Sequence, residues 1–580
     1  MFQQSLDPVG GSLFLSALCA AIPLVTLFVL LGGLRIKAWI AGVVSLVVAM
    51  LVAIILFGMP VGQTVLAASE GAVFGFFPIL WIVINAIWVY NLTVSTGHFD
   101  VLRRSFERVS PDHRIQAIII AFCFGALLEA LAGFGTPVAI TVVMLLALGF
   151  QPVKAAAVAL IANTAPVAFG ALATPIVTLA TVTSGVNNDP RLDVDTLGAM
   201  VGRQTPLLAV FVPLVLVFVV DGARGLRQTW LPAVVAGVSF AVAQYLASNF
   251  VSVPLTDIVG ALVSALAVVA LLRVWKPSEE FTEVAEPTGP AGAATGSTLG
   301  GGHGDQQHAG LRKHEADEDP HFRGQVATLP DTRAEEVKAY APYAIIIVIF
   351  SIANIPAVKE VLAAEPWTYM FQWPGLDVRS TSGDPLTSMT FNFNWLPTAG
   401  TLMILAGILT ALVLKISPGR MLKVYGETYA ELKWAIVTVM AVLGLAYVMN
   451  MSGQTLSLGA WLAGAGSLFV LLSPILGWIG VGVTGSDTSA NALFGALQVQ
   501  TAAKAGLDPV LLAAANSSGG VLGKMISPQN LAIAAAAVGM AGREGDIFRK
   551  VIVWSLVLLV FMCLIVWLQS TPVLDWMVPQ

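Results

Sequence analysis

Charge is scarce in this chain. Only 11% of its 580 residues are Asp, Glu, Lys or Arg while 57% are hydrophobic, where soluble domains carry about 25% charged residues. Such a composition excludes an ordinary soluble domain and fits a polytopic membrane protein, with the lipid bilayer as its first partner. The formal net charge of −5 comes with no basic tail and no basic run interleaved with aromatics, so a nucleic-acid backbone finds nothing to hold. Cysteine is nearly absent. Cys19, Cys123 and Cys563 each lie in apolar sequence and read as small packing residues, not as a disulfide framework or a metal site. No cofactor and no metal is expected. Residues 1–11 hold no positive charge ahead of the first apolar run, so a cleaved signal peptide is not expected and the chain from Ser12 onward reads as a first spanning helix.

Apolar stretches of about 20 residues, the length that crosses a hydrocarbon core, lie near residues 13–31, 38–57, 71–94, 197–220, 230–250 and 255–272. A second set lies near 343–362, 396–414, 432–450 and 551–568. Two longer apolar tracts, 115–184 and 458–540, are broken by Gly, Ser, Thr and Pro. Lys and Arg mark cytoplasmic loops, and the richest loop, 98–114, carries Arg103, Arg104 and Arg108. With that loop inside, both termini fall outside if each broken tract supplies one re-entrant hairpin and one broken span. The expected plan is all-α with about 12 full spans and two hairpins. The first membrane half covers 1–275, with a hairpin at 115–150 entered from the cytoplasm and a broken helix at 152–184. The second covers 341–580, with a hairpin at 458–504 entered from outside and a broken helix at 508–540. Residues 276–340 form a polar, Gly- and Pro-rich cytoplasmic linker that cannot bury a core. Four histidines there (His303, His308, His314, His321) lack regular ligand spacing. A loop at 365–394 on the outer face carries aromatics without clear chemistry.

The two tracts share one punctuation. Asn163, Gly170 and Pro175 match Asn516, Gly523 and Pro528, each pair separated by 353 positions (516 − 163, 523 − 170, 528 − 175). Repeating a helix break in two oppositely oriented halves is the plan of inverted-repeat secondary transporters with a midplane site. A broken helix exposes backbone N–H groups and the positive end of its dipole, which suits a carboxylate. The first tract offers Gly135 and Thr136 at its hairpin tip and Asn163 at its break. The second offers Ser486, Thr488 and Asn491, then Asn516, Ser517, Lys524, Ser527 and Gln529. An isolated Ser or Thr in a membrane helix usually bonds its own backbone; this density, with matched glycines and prolines, points to a substrate site.

Glu129, Asp487 and Lys524 lie deep in these tracts, where each charge costs about 2.5 to 3.5 kcal/mol at the bilayer centre. Lys524 suits an anionic substrate and needs Glu129 or Asp487 as counter-ion in its absence. A Lys–carboxylate pair that only fixes the fold is the alternative. Glu129 and Asp487 are candidate proton-coupling residues, Glu129 first, since a proton neutralises a carboxylate one turn from the tip. Carrying an anion inward against 100 mV costs about 2.3 kcal/mol, a term that one accompanying proton removes. Glu70 and Arg203 lie near expected span ends, where snorkelling accounts for them.

The segments EALAGFGTP at 129–137, TGSDTSANALFG at 484–495 and ANSSGGVLGKMISPQ at 515–529 closely resemble the L-lactate permease family, and the resemblance covers nearly the whole chain. It implies a multi-pass symporter of a prokaryotic cytoplasmic membrane that takes up L-lactate, with D-lactate and glycolate as related 2-hydroxymonocarboxylates, together with protons. Within its motifs, Glu129, Thr136, Asp487, Asn516, Lys524 and Ser527 are the positions to which substrate or proton roles carry over. The 2-hydroxyl would fall to Asn516 or Gln529. An integral-membrane enzyme would need an acid/base pair or metal ligands at one face, and the broken tracts contain no His. A passive anion channel and a sodium-coupled carrier stay open as alternatives.

Overall fold

The computed structural model describes residues 1–282 and 332–579 except Arg35, Phe134, Asn188, Ala541 and Gly542. The four linker histidines, most of the 276–340 linker, Arg35 and the Phe134 of the first hairpin tip lie outside the described residues. The rest is mostly helical, as its apolar runs require of a chain in lipid. Ten described helices are long and apolar enough to cross a bilayer, or eleven if the bent pair Pro152–Ala162 and Val167–Thr183, which turns by 62°, is one span.

This tally of helices stands beside the expected count of about 12 spans, since its longest run holds two of them. The spans read at 197–220 and 230–250 both stand: the run Val194–Phe250, at 57 residues, is too long for one crossing and is interrupted by non-helical backbone at Asp221, Gly222 and Thr229 between them. The span read at 396–414 is a helix of 15 residues, Ala399–Val413, too short for a perpendicular crossing. The span read at 343–362 is Arg333–Ala353, and it begins inside the expected linker. Thr332 and Glu335 form a reciprocal capping box there, a start signal that lies in polar sequence and escapes a hydropathy reading. The loop at 365–394 is also structured: Tyr369–Gln372 pairs antiparallel with Thr390–Phe393, and Phe2–Gln3 pairs parallel with Val378–Arg379.

Both broken tracts turn back on themselves. His113–Ala132 and Thr136–Ala147 meet at Gly133–Gly135, and Phe469–Thr484 and Asp487–Ala505 meet at Gly485 and Ser486. The second hairpin follows a separate helix, Gln454–Leu462. After each hairpin comes an interrupted helix: Pro152–Ala162 then Gly170–Thr183, and Pro509–Gly523 then Pro528–Ala537. Arg114, fully buried, fixes the base of the first hairpin. Its guanidinium donates to Asp112 at 2.7 and 3.1 Å, to Asp221 at 3.1 Å and to the Glu279 carbonyl at 2.6 Å. At the opposite end Arg191 joins the halves through Asp189 at 2.8 Å and Asp508 at 3.0 Å. Apart from these helices, Ala38–Ile55 and Val61–Phe74 pack on Pro418–Met451, and Leu13–Phe28 packs on Ala38–Ile55 and Gln454–Leu462, around a second apolar core.

Candidate functional site

The helix interruptions bring together groups far apart in sequence. Lys524 ends the first part of the second broken helix, and its Nζ donates to Glu129 Oε1 at 2.5 Å across 395 positions. The two side chains are 7% and 4% exposed, so each charge depends on the other. Among the described residues Glu129 is the one acceptor bonded to that ammonium, and an ammonium has three donors. Asn163 Nδ2 holds the other carboxylate oxygen at 2.9 Å. Gly170 makes room for this pair: a Cβ there would stand 2.7 Å from Glu129 Oε1.

The backbone beside the pair is strained. Ala171, Leu172 and Ala173 take φ of 44°, 56° and 59°, a left-handed turn that costs roughly 1–2 kcal/mol per residue without glycine. Three such residues persist only where surrounding structure holds them, a pattern that clusters at functional sites. The turn presents Gly170, Ala171 and Thr174 to a polar cavity of about 40 Å³, whose wall also contains Glu129, Gly133, Pro175, Ser486, Asp487, Thr488, Lys524 and Gln529. That volume holds about three waters. A larger apolar groove of about 590 Å³ beside Val234 and Val263 has no charged lining.

Asp487 begins the inner arm of the second hairpin. Its Oδ2 accepts from Ser517 Oγ at 2.6 Å and Asn491 Nδ2 at 3.4 Å, while Oδ1 has no hydrogen-bond partner. Asn491 Nδ2 also reaches the Pro175 carbonyl at 3.1 Å, tying the second hairpin to the first break. Asn516 is saturated: it donates to Asn491 Oδ1 at 2.9 Å and accepts from Gln498 at 3.1 Å. Gln529 reaches the cavity with no hydrogen bond on its amide among the described residues. Of the sequence-derived candidates, Glu129, Ser486, Asp487, Thr488, Lys524 and Gln529 line the cavity, Asn163, Asn491 and Ser517 stand one bond behind, and Asn516 stands behind Asn491. Gly135 and Thr136 do not line it; Gly135 lies against Ile533 of the second broken helix. Ser527 caps the helix Pro528–Ala537 by accepting from the Asn530 backbone at 3.3 Å.

One expectation changes. Glu70 does not snorkel: it is fully buried, and neither carboxylate oxygen has a partner. The sequence reading also passes over Asp257 and Gln244, both fully buried and bonded to each other at 3.0 Å. An Asp within an apolar run is the signal that could have found the pair.

The sequence profile described as L-lactate permease matches residues 16–573. The chain belongs to the L-lactate permease family. Among its relatives, the L-lactate permease of Bacillus subtilis is 41% identical over 99% of each chain. The glycolate permease GlcA of Escherichia coli is 40% identical over 97% of each chain. The L-lactate permease of Escherichia coli is 39% identical over the whole of both. A solved transporter, YdaH of Alcanivorax borkumensis, overlays with a TM-score of 0.42 at 15% identity and 86% coverage of each chain, a likeness too loose to carry an argument. As a member of this permease family with ten or eleven candidate spans, the chain is a multi-pass membrane protein.

Proposed function

We propose that the chain imports L-lactate and related 2-hydroxymonocarboxylates, D-lactate and glycolate among them, by proton symport across a prokaryotic cytoplasmic membrane. The observation that carries this reading is the Lys524–Glu129 pair, closed on itself in a polar cavity between two broken helices. The relatives named for lactate and glycolate support the substrate class.

In the proposed cycle the substrate carboxylate takes the Lys524 ammonium from Glu129. A carboxylate left without its cation in a buried site is costly, and one proton removes the cost. Substrate anion and proton then cross as a neutral pair. Asp487, with one oxygen free beside the cavity, is the second carboxyl able to hold that proton. Gln529 is the better placed of the two amides for the 2-hydroxyl, because Asn516 has both ends occupied. A site built for a hydroxyl discriminates against an acid that lacks one, since its own polar group is then unpaired.

The test is uptake of labelled L-lactate into liposomes holding the purified protein, with glycolate or propionate as competitor. Strong competition by glycolate and weak competition by propionate, with the difference reduced about tenfold or more in Gln529→Ala, is expected. Equal competition by propionate overturns the hydroxyl assignment, and absence of lactate uptake overturns the substrate.

A further inference from the structure

Asp257 lies in the first turn of the helix Thr256–Leu272, fully buried, with its Oδ2 unpartnered. Its Oδ1 accepts from Gln244 Nε2 at 3.0 Å. The same nitrogen donates to the Ala165 carbonyl at 3.4 Å, and Thr205 Oγ1 donates to Gln244 Oε1 at 3.4 Å. A carbonyl can only accept, so Ala165 fixes which end of the amide faces Asp257. Ala165 lies in the interruption after Pro152–Ala162, two positions beyond the Asn163 that holds Glu129. The network therefore joins a buried carboxyl to the strained break beside the substrate cavity.

The titratable groups on the elements packed against this helix are few. Gly125–Ala132 carries Glu129, Ala117–Phe124 carries Cys123, and Val212–Phe250 carries Asp221, Arg224, Arg227 and Tyr245; Val253–Leu255 and Gly170–Thr183 carry none. Cys123 is engaged with Ser264 Oγ at 3.4 Å. Glu129 is the carboxyl on the helix Gly125–Ala132 that packs directly on the helix of Asp257. Arg273 and Lys276 follow the far end of the helix, which places Asp257 toward the outer side by the positive-inside rule.

We propose that Asp257 is the outer station of the proton path, holding the proton that Glu129 takes up when substrate draws Lys524 away. This rests on the symport reading above. An O–H bond on Asp257 breaks, an O–H bond forms on Glu129, and a proton from outer water refills Asp257. Each carboxyl is buried, so a proton held by one or the other spares the molecule one of two costly buried charges.

The experiment compares the wild type, Asp257→Asn and Asp257→Glu in liposomes. It measures L-lactate accumulation under an inward proton gradient and lactate counterflow without a gradient. Asn can still accept the Gln244 bond, so the packing is kept while the proton site is lost. The ratio of accumulation to counterflow is expected to fall about a hundredfold in Asp257→Asn, as for loss of a proton-transfer group, and to recover in Asp257→Glu. An unchanged ratio overturns the proposal, whether or not both activities drop together. A second readout needs no variant. Carbodiimide, which attacks protonated buried carboxyls, is expected to modify Asp257 of the wild type by peptide mass, and an unmodified Asp257 overturns the proposal. Wild type that accumulates lactate with sodium and not with protons marks failure of the symport reading itself.

Discussion

Lys524 and Glu129 hold the two halves of the cavity together, and each is expensive alone. Removing one partner of a buried pair costs about 3–5 kcal/mol, whereas replacing both by apolar residues is often neutral. Lys524→Met and Glu129→Leu are therefore each expected to melt earlier in detergent, and the double variant to melt near the wild type. All three are expected to lose L-lactate uptake by about a hundredfold or more. A double variant that is no more stable than the singles contradicts the pairing; retained uptake in any of them contradicts the mechanism. Both residues were legible in sequence, because an ionisable side chain in an apolar tract is conspicuous. Which carboxylate pairs with Lys524 was left open between Asp487 and Glu129, because Asp487 lies 37 positions away (524 − 487) and Glu129 395 (524 − 129), and only the fold brings the distant one into contact. The three left-handed residues at 171–173 were invisible for another reason: Ala-Leu-Ala has no backbone signature of a positive φ.

At the scale of elements, the interruptions work because glycines let charged groups approach backbone. Gly170→Ala places a methyl against Glu129 Oε1 and is expected to cost about 1–3 kcal/mol of overpacking. Uptake falls about tenfold or more while the protein still inserts, read as uptake per mole of reconstituted protein. Unchanged uptake means that the carboxylate moves aside freely. The loop after the first broken helix gives a prediction in pH. The Arg191 hydrogen bond holds the Asp189 carboxyl below the usual value, against the opposing effect of burial. A depressed carboxyl stabilises the fold above the ordinary Asp value near 3.9 and loses that stabilisation as pH falls through the depressed value. Wild type is thus expected to melt above Asp189→Asn from neutral pH down to about pH 4, and the gap to close below that. A gap independent of pH contradicts the assignment. Periodic Gly-Pro punctuation made the breaks readable, and the charges at Asp221, Arg224 and Arg227 marked the interruption between the spans at 197–220 and 230–250, whereas the polar helix start at Thr332 is set by local backbone bonding that hydropathy does not register.

Across the whole molecule, the hairpins and broken helices form a compact unit beside the core built on Pro418–Met451, and an elevator movement of that unit is the motion we favour. Phe28 and Phe494 touch across this boundary, with ring centroids 6.0 Å apart. In a background with the three native cysteines replaced, Phe28→Cys with Phe494→Cys is expected to crosslink in one state. The crosslink should be lost in the other if the unit slides by more than a helical turn, about 5 Å. Crosslinking of equal yield with and without substrate and gradient contradicts the sliding unit. The central claim is that lactate and a proton enter together through the Lys524–Glu129 cavity. Its most direct measurement is the external pH of weakly buffered proteoliposomes when L-lactate is added without any ion gradient. The account predicts that the medium turns alkaline by about one proton per lactate taken up, and that Glu129→Gln abolishes the change. Lactate entry with no change of pH, or entry matched by sodium, would contradict it.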